Sequence, residues 1–412
     1  MSIIRPFKAL RPDPLLAAKV AALPYDVMNS DEAREMVKDN PYSFLHVDKA
    51  EIDLDRSIDL YDPKVYEKAA FNLNKMVEDK VFIQDEKPCL YIYRLTMDGR
   101  PQTGLVACAS VDEYLDGKII KHELTRAEKE ADRIRHVDIT NANTGPIFLT
   151  YRTKKEIDAI IEKWIAENDA VYDFVSDDNV RNEAWIINCD ECVAKIQSLF
   201  SQVPALYIAD GHHRNASAVK VGIKRREANP GYDKDAEFNF YLAVIFPHEQ
   251  LHIMDYNRVV KDLNGLSDDG FMSRIKEKFN VEPKDNGKPQ TLHAFGMYLN
   301  KKWYILTAKP EIIIDDPIES LDVAILQKHV LEALLGILDP RTDKRIDFVG
   351  GIRGIKELER RVDNGEMKVA FAMFPTSMEQ LMAVADAGKI MPPKSTWFEP
   401  KLRSGVFIHL LE

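Results

Sequence analysis

Residues 204–227, PALYIADGHHRNASAVKVGIKRRE, hold the residue types best suited to chemistry in this chain. A β-branched and aromatic stretch ends at Ala209, and Asp210-Gly211-His212-His213-Arg214 follow. A helix is expected to begin at or just after Gly211 and to stop before Asn229-Pro230-Gly231, a strong turn signal. The first turn of a helix has N–H groups without intrahelical partners and carries partial positive charge. Gly211 lets a ligand approach the backbone, and Arg214 offers a fork of donors matched to phosphate oxygens. His212 and His213 add potentially cationic side chains, and Asp210 suits a ribose hydroxyl or a Mg²⁺ ion beside phosphates. Cationic side chains at a helix start oppose the dipole, so stability alone explains them poorly. A phosphate or nucleotide site is therefore expected at Asp210, Gly211, His212, His213 and Arg214.

Phosphoryl transfer to a hydroxyl also needs a proton acceptor. Residues 119–126, IIKHELTR, supply Glu123 or His122 for that role just ahead of an expected helix start, with His213 as a third catalytic candidate. Arg126 is expected to help neutralise phosphate charge. Arg258, in Asp255-Tyr256-Asn257-Arg258, and Lys394, in Lys394-Ser395-Thr396, are further candidate anion contacts. His248-Glu249-Gln250-Leu251-His252 matches the zincin HExxH pattern literally. That motif works only on a helix, which puts both histidines on one face. Here it follows the strand-like FNFYLAVIF and Pro247, so a zinc hydrolase through His248 and His252 is disfavoured.

Strands are expected at 89–96, 103–111, 146–151, 184–188, 205–209 and 238–246, with helices between them. A capping box at Thr125…Glu128 is expected to open one charged helix, and another at Thr376…Glu379 a late one. Residues 321–338 read as a continuous helix. The alternation predicts a mixed fold, α/β or α+β. Three segments are expected: 1–88 packed on the core, a core of 89–260 carrying the DGHHR motif, and a C-terminal α/β lobe of 261–412. The chain has 412 residues, and 56 Lys+Arg against 67 Asp+Glu give a net charge of −11, which argues against a dedicated duplex-DNA binder. Four cysteines are too few for a disulfide scaffold, and no apolar run or signal peptide points to a membrane. A cytoplasmic location is expected.

From RPFKALRP and PYDV through ADGHHR to MPPKSTWFEPK, the sequence resembles the domain-of-unknown-function 1015 family over nearly its whole length. Asp210-Gly211-His212-His213-Arg214 also resembles the phosphate-binding motif of the ParB/sulfiredoxin-like superfamily, which includes free-serine kinases. This local resemblance implies a ParB/sulfiredoxin-like core with an additional α/β lobe, and ATP or ADP with Mg²⁺ at the motif. Sulfiredoxin has a reactive Cys where this chain has His212, so the resemblance does not extend to sulfiredoxin chemistry. It implies a nucleotide-dependent phosphotransferase acting on a small hydroxyl metabolite, with serine or phosphoserine as partner. A nucleotide-binding regulator without turnover is the alternative.

Overall fold

The computed structural model describes residues 2–412. The chain folds as two compact units, Met1–Leu251 with Pro400–Glu412, and His252–Glu399. This differs from the three expected segments. Residues 1–88 fall in the first unit: Ile4–Arg5 (β1) joins them to it by pairing with Arg100–Ser110, while Leu10–Pro12 pairs with Phe82–Gln84 within the segment. The second boundary comes earlier than expected, and the last residues return to the first unit, where His409 pairs with Asn143 and Leu10 with Ile408.

The first unit is built on a nine-stranded mixed sheet. Besides β1, its strands are Leu90–Met97 (β2), Arg100–Ser110 (β3), Ile119–Ile120 (β4), Ile147–Tyr151 (β5), Tyr172–Val175 (β6), Arg181–Ile187 (β7), Leu206–Asp210 (β8) and Phe240–Pro247 (β9). They lie in the order β4-β8-β5-β9-β3-β2-β7-β6, with β1 beside β3. The expected strands are all present, with ends shifted by a few residues. β2 and β3 form a hairpin turned by Asp98 and Gly99, at φ 53° and 76°. Positive φ at both central positions is the turn that matches strand twist. Along these strands the inward side chains are aliphatic or aromatic, and Ile92, Leu105, Leu149, Ile208 and Ile245 are buried in one core.

Two features of this sheet position the site. First, β4 and β8 are parallel neighbours, with Ile119 beside Leu206 and Ile120 beside Tyr207. Parallel neighbours end at the same sheet edge, so the loops that follow them emerge side by side. Second, the helices after those loops, Ala127–Thr140 (α1) and His212–Ala228 (α2), pack on one another. The Ser217 hydroxyl donates to the Glu130 carbonyl at 3.2 Å, Lys220 pairs with Glu130, and Lys224 reaches Asp138 at 2.6 Å.

Helix α1 does not open with the expected capping box. Its N-cap is Arg126 without a side-chain bond, and the Thr125 hydroxyl instead donates to the Glu130 carboxylate at 2.6 Å. The late box is real but one residue on, with Ser377 and Gln380 exchanging bonds ahead of Met378–Asp386.

The second unit has a six-stranded antiparallel sheet of Tyr256–Val260 (β10), Phe279–Lys284 (β11), Ala294–Leu299 (β12), Lys302–Ala308 (β13), Ile346–Gly350 (β14) and Val369–Ala372 (β15). The order is β11-β13-β12-β15-β10-β14. The helix expected over 321–338 is broken. It is α-helical only at Asp322–Leu326 (α3), then widens into a π-turn at Gln327–Glu332 and ends in turns. Gly336, at φ 66°, lies in that ending and fits a helix stop. Among the described residues no helix is long and apolar enough to cross a membrane.

Candidate functional site

The DGHHR run lies at the junction of β8 and α2. Gly211 is the N-cap of α2 at φ 85°, a left-handed conformation that side-chain-bearing residues rarely adopt. Its N–H is taken by the Asp210 carboxylate at 2.8 Å, and its carbonyl accepts from Asn215 at 2.9 Å. No side chain caps the helix, so its first turn keeps N–H groups that a helix does not satisfy internally.

The parallel pairing of β4 and β8 brings residues 122–126 against this turn. The rings of His122 and His212 meet edge to face, 4.5 Å between centroids. Nδ1 of His212 lies 3.8 Å from the Glu123 carboxylate. The Arg126 N–H donates to Nε2 of His213 at 3.0 Å. Both imidazoles at the base of the site are buried, His122 at 2% exposure and His212 at 6%. Neither ring nitrogen of His122 has a hydrogen-bond partner, nor does Nε2 of His212. Burial drives the His122 pKa down to about 4, and burial together with the neighbouring His122 holds His212 well below the usual imidazole range. Both rings are neutral at pH 7. The Glu123 side chain is 46% exposed, so it is the member of the group that a substrate can reach.

Several expectations change. Arg214 does not present its fork outward: its side chain is only 14% exposed and pairs with the fully buried Asp48 at 2.8 Å. Its guanidinium also lies over the Tyr25 ring at 4.9 Å and reaches the Ser404 hydroxyl at 3.3 Å. Asp48 takes a second bond from the Thr144 hydroxyl at 2.9 Å. Burial alone would raise the Asp48 pKa, but Arg214 and its other cationic neighbours hold it well below the usual carboxylate range. Arg214 is thus held as a buried ion-pair partner. His213 was expected to neutralise phosphate charge. Burial instead lowers its pKa and its Nε2 accepts a backbone N–H, so it orients the 121–126 loop as a neutral ring. His212 turns inward against His122 instead of facing a ligand with its side chain.

Asp210 was expected to hold Mg²⁺. One of its oxygens accepts from Gly211 and the other pairs with Lys401 at 2.8 Å. Mg²⁺ is usually held by one or two carboxylates plus phosphate oxygens and water. A carboxylate already paired with an ammonium does not fit that role. The groups that do cluster like metal ligands are His122, Glu123 and His212, whose donor atoms lie within 4.8 Å of one another. Two imidazole nitrogens and one carboxylate oxygen suit a transition metal better than Mg²⁺.

Sequence reading missed Lys401 and Asp48, because each meets its partner from a distant part of the chain. Asp26 was missed too: it is exposed and its charge acts on both His213 and Arg214. The signals were present, since Asp26 lies in PYDV and Lys401 in MPPKSTWFEPK. Arg258 and Lys394 lie in the second unit, where Arg258 donates to the Lys394 carbonyl at 2.9 Å. The HExxH pattern is not helical: His248–Gln250 is a single 3₁₀ turn, and Leu251 is extended. His248 bonds instead to Thr153, accepting its backbone N–H at 3.1 Å and meeting its hydroxyl at 3.0 Å. Zincin geometry is therefore not formed.

No curated protein matches this chain in sequence. Among solved structures it is similar to a conserved hypothetical protein from Pyrococcus furiosus, at 16% identity and TM-score 0.36 over 74% of this chain and 95% of that one. It is also similar to a free serine kinase in complex with AMP, at 15% identity and TM-score 0.38 over 73% and 91% of the two chains. SbnI from Staphylococcus aureus, truncated at its C-terminus, gives 11% identity and TM-score 0.37 over 71% and 82%. Likenesses this weak decide nothing about activity. The family described as "Protein of unknown function (DUF1015)" matches residues 4–324, and the chain belongs to that family.

Proposed function

We propose that the protein transfers a phosphoryl group between a nucleotide, ATP or ADP, and a small hydroxyl metabolite, with serine or phosphoserine as the first pair to test. One observation carries this reading: the uncapped start of α2 lies beside a reachable carboxylate, Glu123, that two buried neutral imidazoles back from within. The choice of serine rests on the local resemblance of the DGHHR motif to free-serine kinases.

The geometry supports the following roles. First-turn N–H groups of α2 take the phosphate oxygens, and Arg126 and Lys401 add positive charge at its rim. Glu123 accepts the hydroxyl proton as the substrate oxygen bonds to phosphorus and the bond to the departing nucleotide oxygen breaks. Run in reverse, the phosphomonoester returns its phosphoryl group to the nucleotide and Glu123 returns the proton. His122 and His212 carry no charge, so they do not compete for the phosphate. His213 positions the loop that carries Glu123. Magnesium arrives as the counter-ion of the nucleotide and is not held beforehand by Asp210. Most of the rate in such chemistry comes from positioning and charge stabilisation, with the proton acceptor adding about 10²–10⁴-fold. We place the reaction in the cytoplasm, where nucleotide and metabolite are both at hand.

The test is phosphorus NMR on the full chain with ATP or ADP, MgCl₂ and serine or phosphoserine. A new phosphomonoester signal, or its consumption, is expected, and Glu123→Gln is expected to slow it about 10²–10⁴-fold while nucleotide still binds. Nucleotide binding with no transfer across a broad panel of hydroxyl metabolites favours the regulator. Unchanged transfer in Glu123→Gln overturns the assigned roles.

A further inference from the structure

The second unit holds a buried guanidinium without an acid to balance it. Arg258 sits in the middle of β10, between the edge strand β14, where it faces Phe348, and β15, where it faces Phe371. It is 4% exposed. It donates to the carbonyls of Tyr256 and Lys394, and its charged carbon lies 5.5 Å from the Phe348 ring centroid. None of the ion pairs among the described residues involves it, and no carboxylate acts on its charge. Burial pulls its pKa from the usual arginine value down to about 10, so it stays cationic at neutral pH. A buried cation without a counter-charge is costly, and an anion from outside removes that cost.

The same side chain lines a cavity of about 320 Å³, within the size range of small-molecule sites. Gln327 and Leu331, on the π-turn after α3, form one wall, and Leu338, Phe348 and Pro392 close the others. Apart from Arg258, the charged residues of the lining are Asp339 and Arg341. These two neutralise each other through a two-point ion pair with Nε–Oδ1 and Nη2–Oδ2 both at 2.9 Å. The lining therefore carries a net single positive charge set among mostly apolar walls.

We infer that this cavity binds a small organic monocarboxylate with an apolar body, its carboxylate on Arg258 and its chain against Leu331, Leu338 and Phe348. A single unbalanced guanidinium matches a monoanion. A phosphate dianion would leave negative charge uncompensated among apolar walls. The inference does not rest on the phosphotransfer reading, and every residue that lines the cavity belongs to the second unit.

Hexanoate, hexan-1-ol and hexyl phosphate are the probes, followed by saturation-transfer NMR and titration calorimetry on the full chain at pH 7.5. Saturable hexanoate binding is expected, at least tenfold tighter than hexan-1-ol and tighter than hexyl phosphate. Arg258→Met should weaken it at least tenfold. Because that variant can lose its fold, Leu338→Trp provides the second arm: Leu338 is 75% exposed at the cavity, so a larger ring there blocks entry while the fold is retained. Equal binding of hexanoate and hexan-1-ol, tighter binding of hexyl phosphate, no hexanoate binding, or unchanged affinity in Leu338→Trp would each overturn the inference.

Discussion

The Arg214–Asp48 pair gives a sharp test of whether the arginine of the DGHHR motif is structural. Asp48→Asn removes the charge that balances Arg214 in a site where Asp48 has no exposed side-chain surface. Breaking one partner of a buried pair costs about 3–5 kcal/mol, because the remaining charge is left uncompensated. For a unit of this size, where each kcal/mol shifts the melting midpoint by about 2–4 °C, that is a drop of roughly 6–20 °C. Removing both partners together, as Asp48→Leu with Arg214→Met, leaves no orphan charge and should recover most of the loss. Melting by differential scanning fluorimetry and phosphoryl transfer by phosphorus NMR are measured on the same preparations. The pairing predicts that the double variant keeps transfer in proportion to its folded fraction. A well-folded double variant that binds nucleotide much more weakly would refute the structural reading and return Arg214 to the phosphate. The pH dependence has a fixed sign. Asp48 titrates lower in the folded state than in the unfolded one, so its contribution is full above the unfolded carboxylate value near 4 and is lost as pH falls below it.

Four further outcomes are expected. Glu123→Gln should lower kcat about 10²–10⁴-fold with little change in nucleotide affinity, measured by steady-state kinetics alongside calorimetry. Lys401→Met leaves the Asp210 carboxylate unpaired beside the phosphates and should weaken nucleotide binding about tenfold, or ~1.4 kcal/mol, by calorimetry. His122 resists protonation down to about 4 when folded, whereas the unfolded chain takes that proton near 6.5. The protein should therefore lose stability as pH falls from about 6.5 to 4, by up to ~1.4 kcal/mol per pH unit from this group, and His122→Leu should flatten that limb in urea titrations. Zn²⁺ at micromolar levels should inhibit transfer by capturing Glu123 with His122 and His212, and His212→Gln should relieve the inhibition; insensitivity to zinc would show that the three side chains do not converge in solution.

The central strands and α2 were legible because each is a long run with clear periodicity and clear stops. The meeting of residues 122–126 with the DGHHR turn was not, since it depends on the pairing of a two-residue strand, β4, with β8. Two residues carry no period that a sequence can display. The pairing of Arg214 was not legible because the carboxylate that claims it lies 166 residues away, and Lys401 was missed because its partner lies 191 residues away. Burial, which strips the charge from His212 and His213, is likewise a property of packing and is silent in the motif itself. The first capping box failed because the Thr125 hydroxyl bonds the Glu130 carboxylate instead, and the late one slipped by one residue to the pair Ser377 and Gln380.

Residues 400–412 also impose an order on synthesis. They supply Lys401 to Asp210, Ser404 to Arg214, the bridge from Ser404 to Ala22, and the pairing of His409 with Asn143. The strand and helix that frame the candidate phosphate site leave the ribosome nearly two hundred residues before Lys401 does. A nascent chain thus carries Asp210 without its counter-charge throughout the making of the second unit. The site is withheld until that unit has been translated, and a frameshift late in the message would silence it as surely as one at the start.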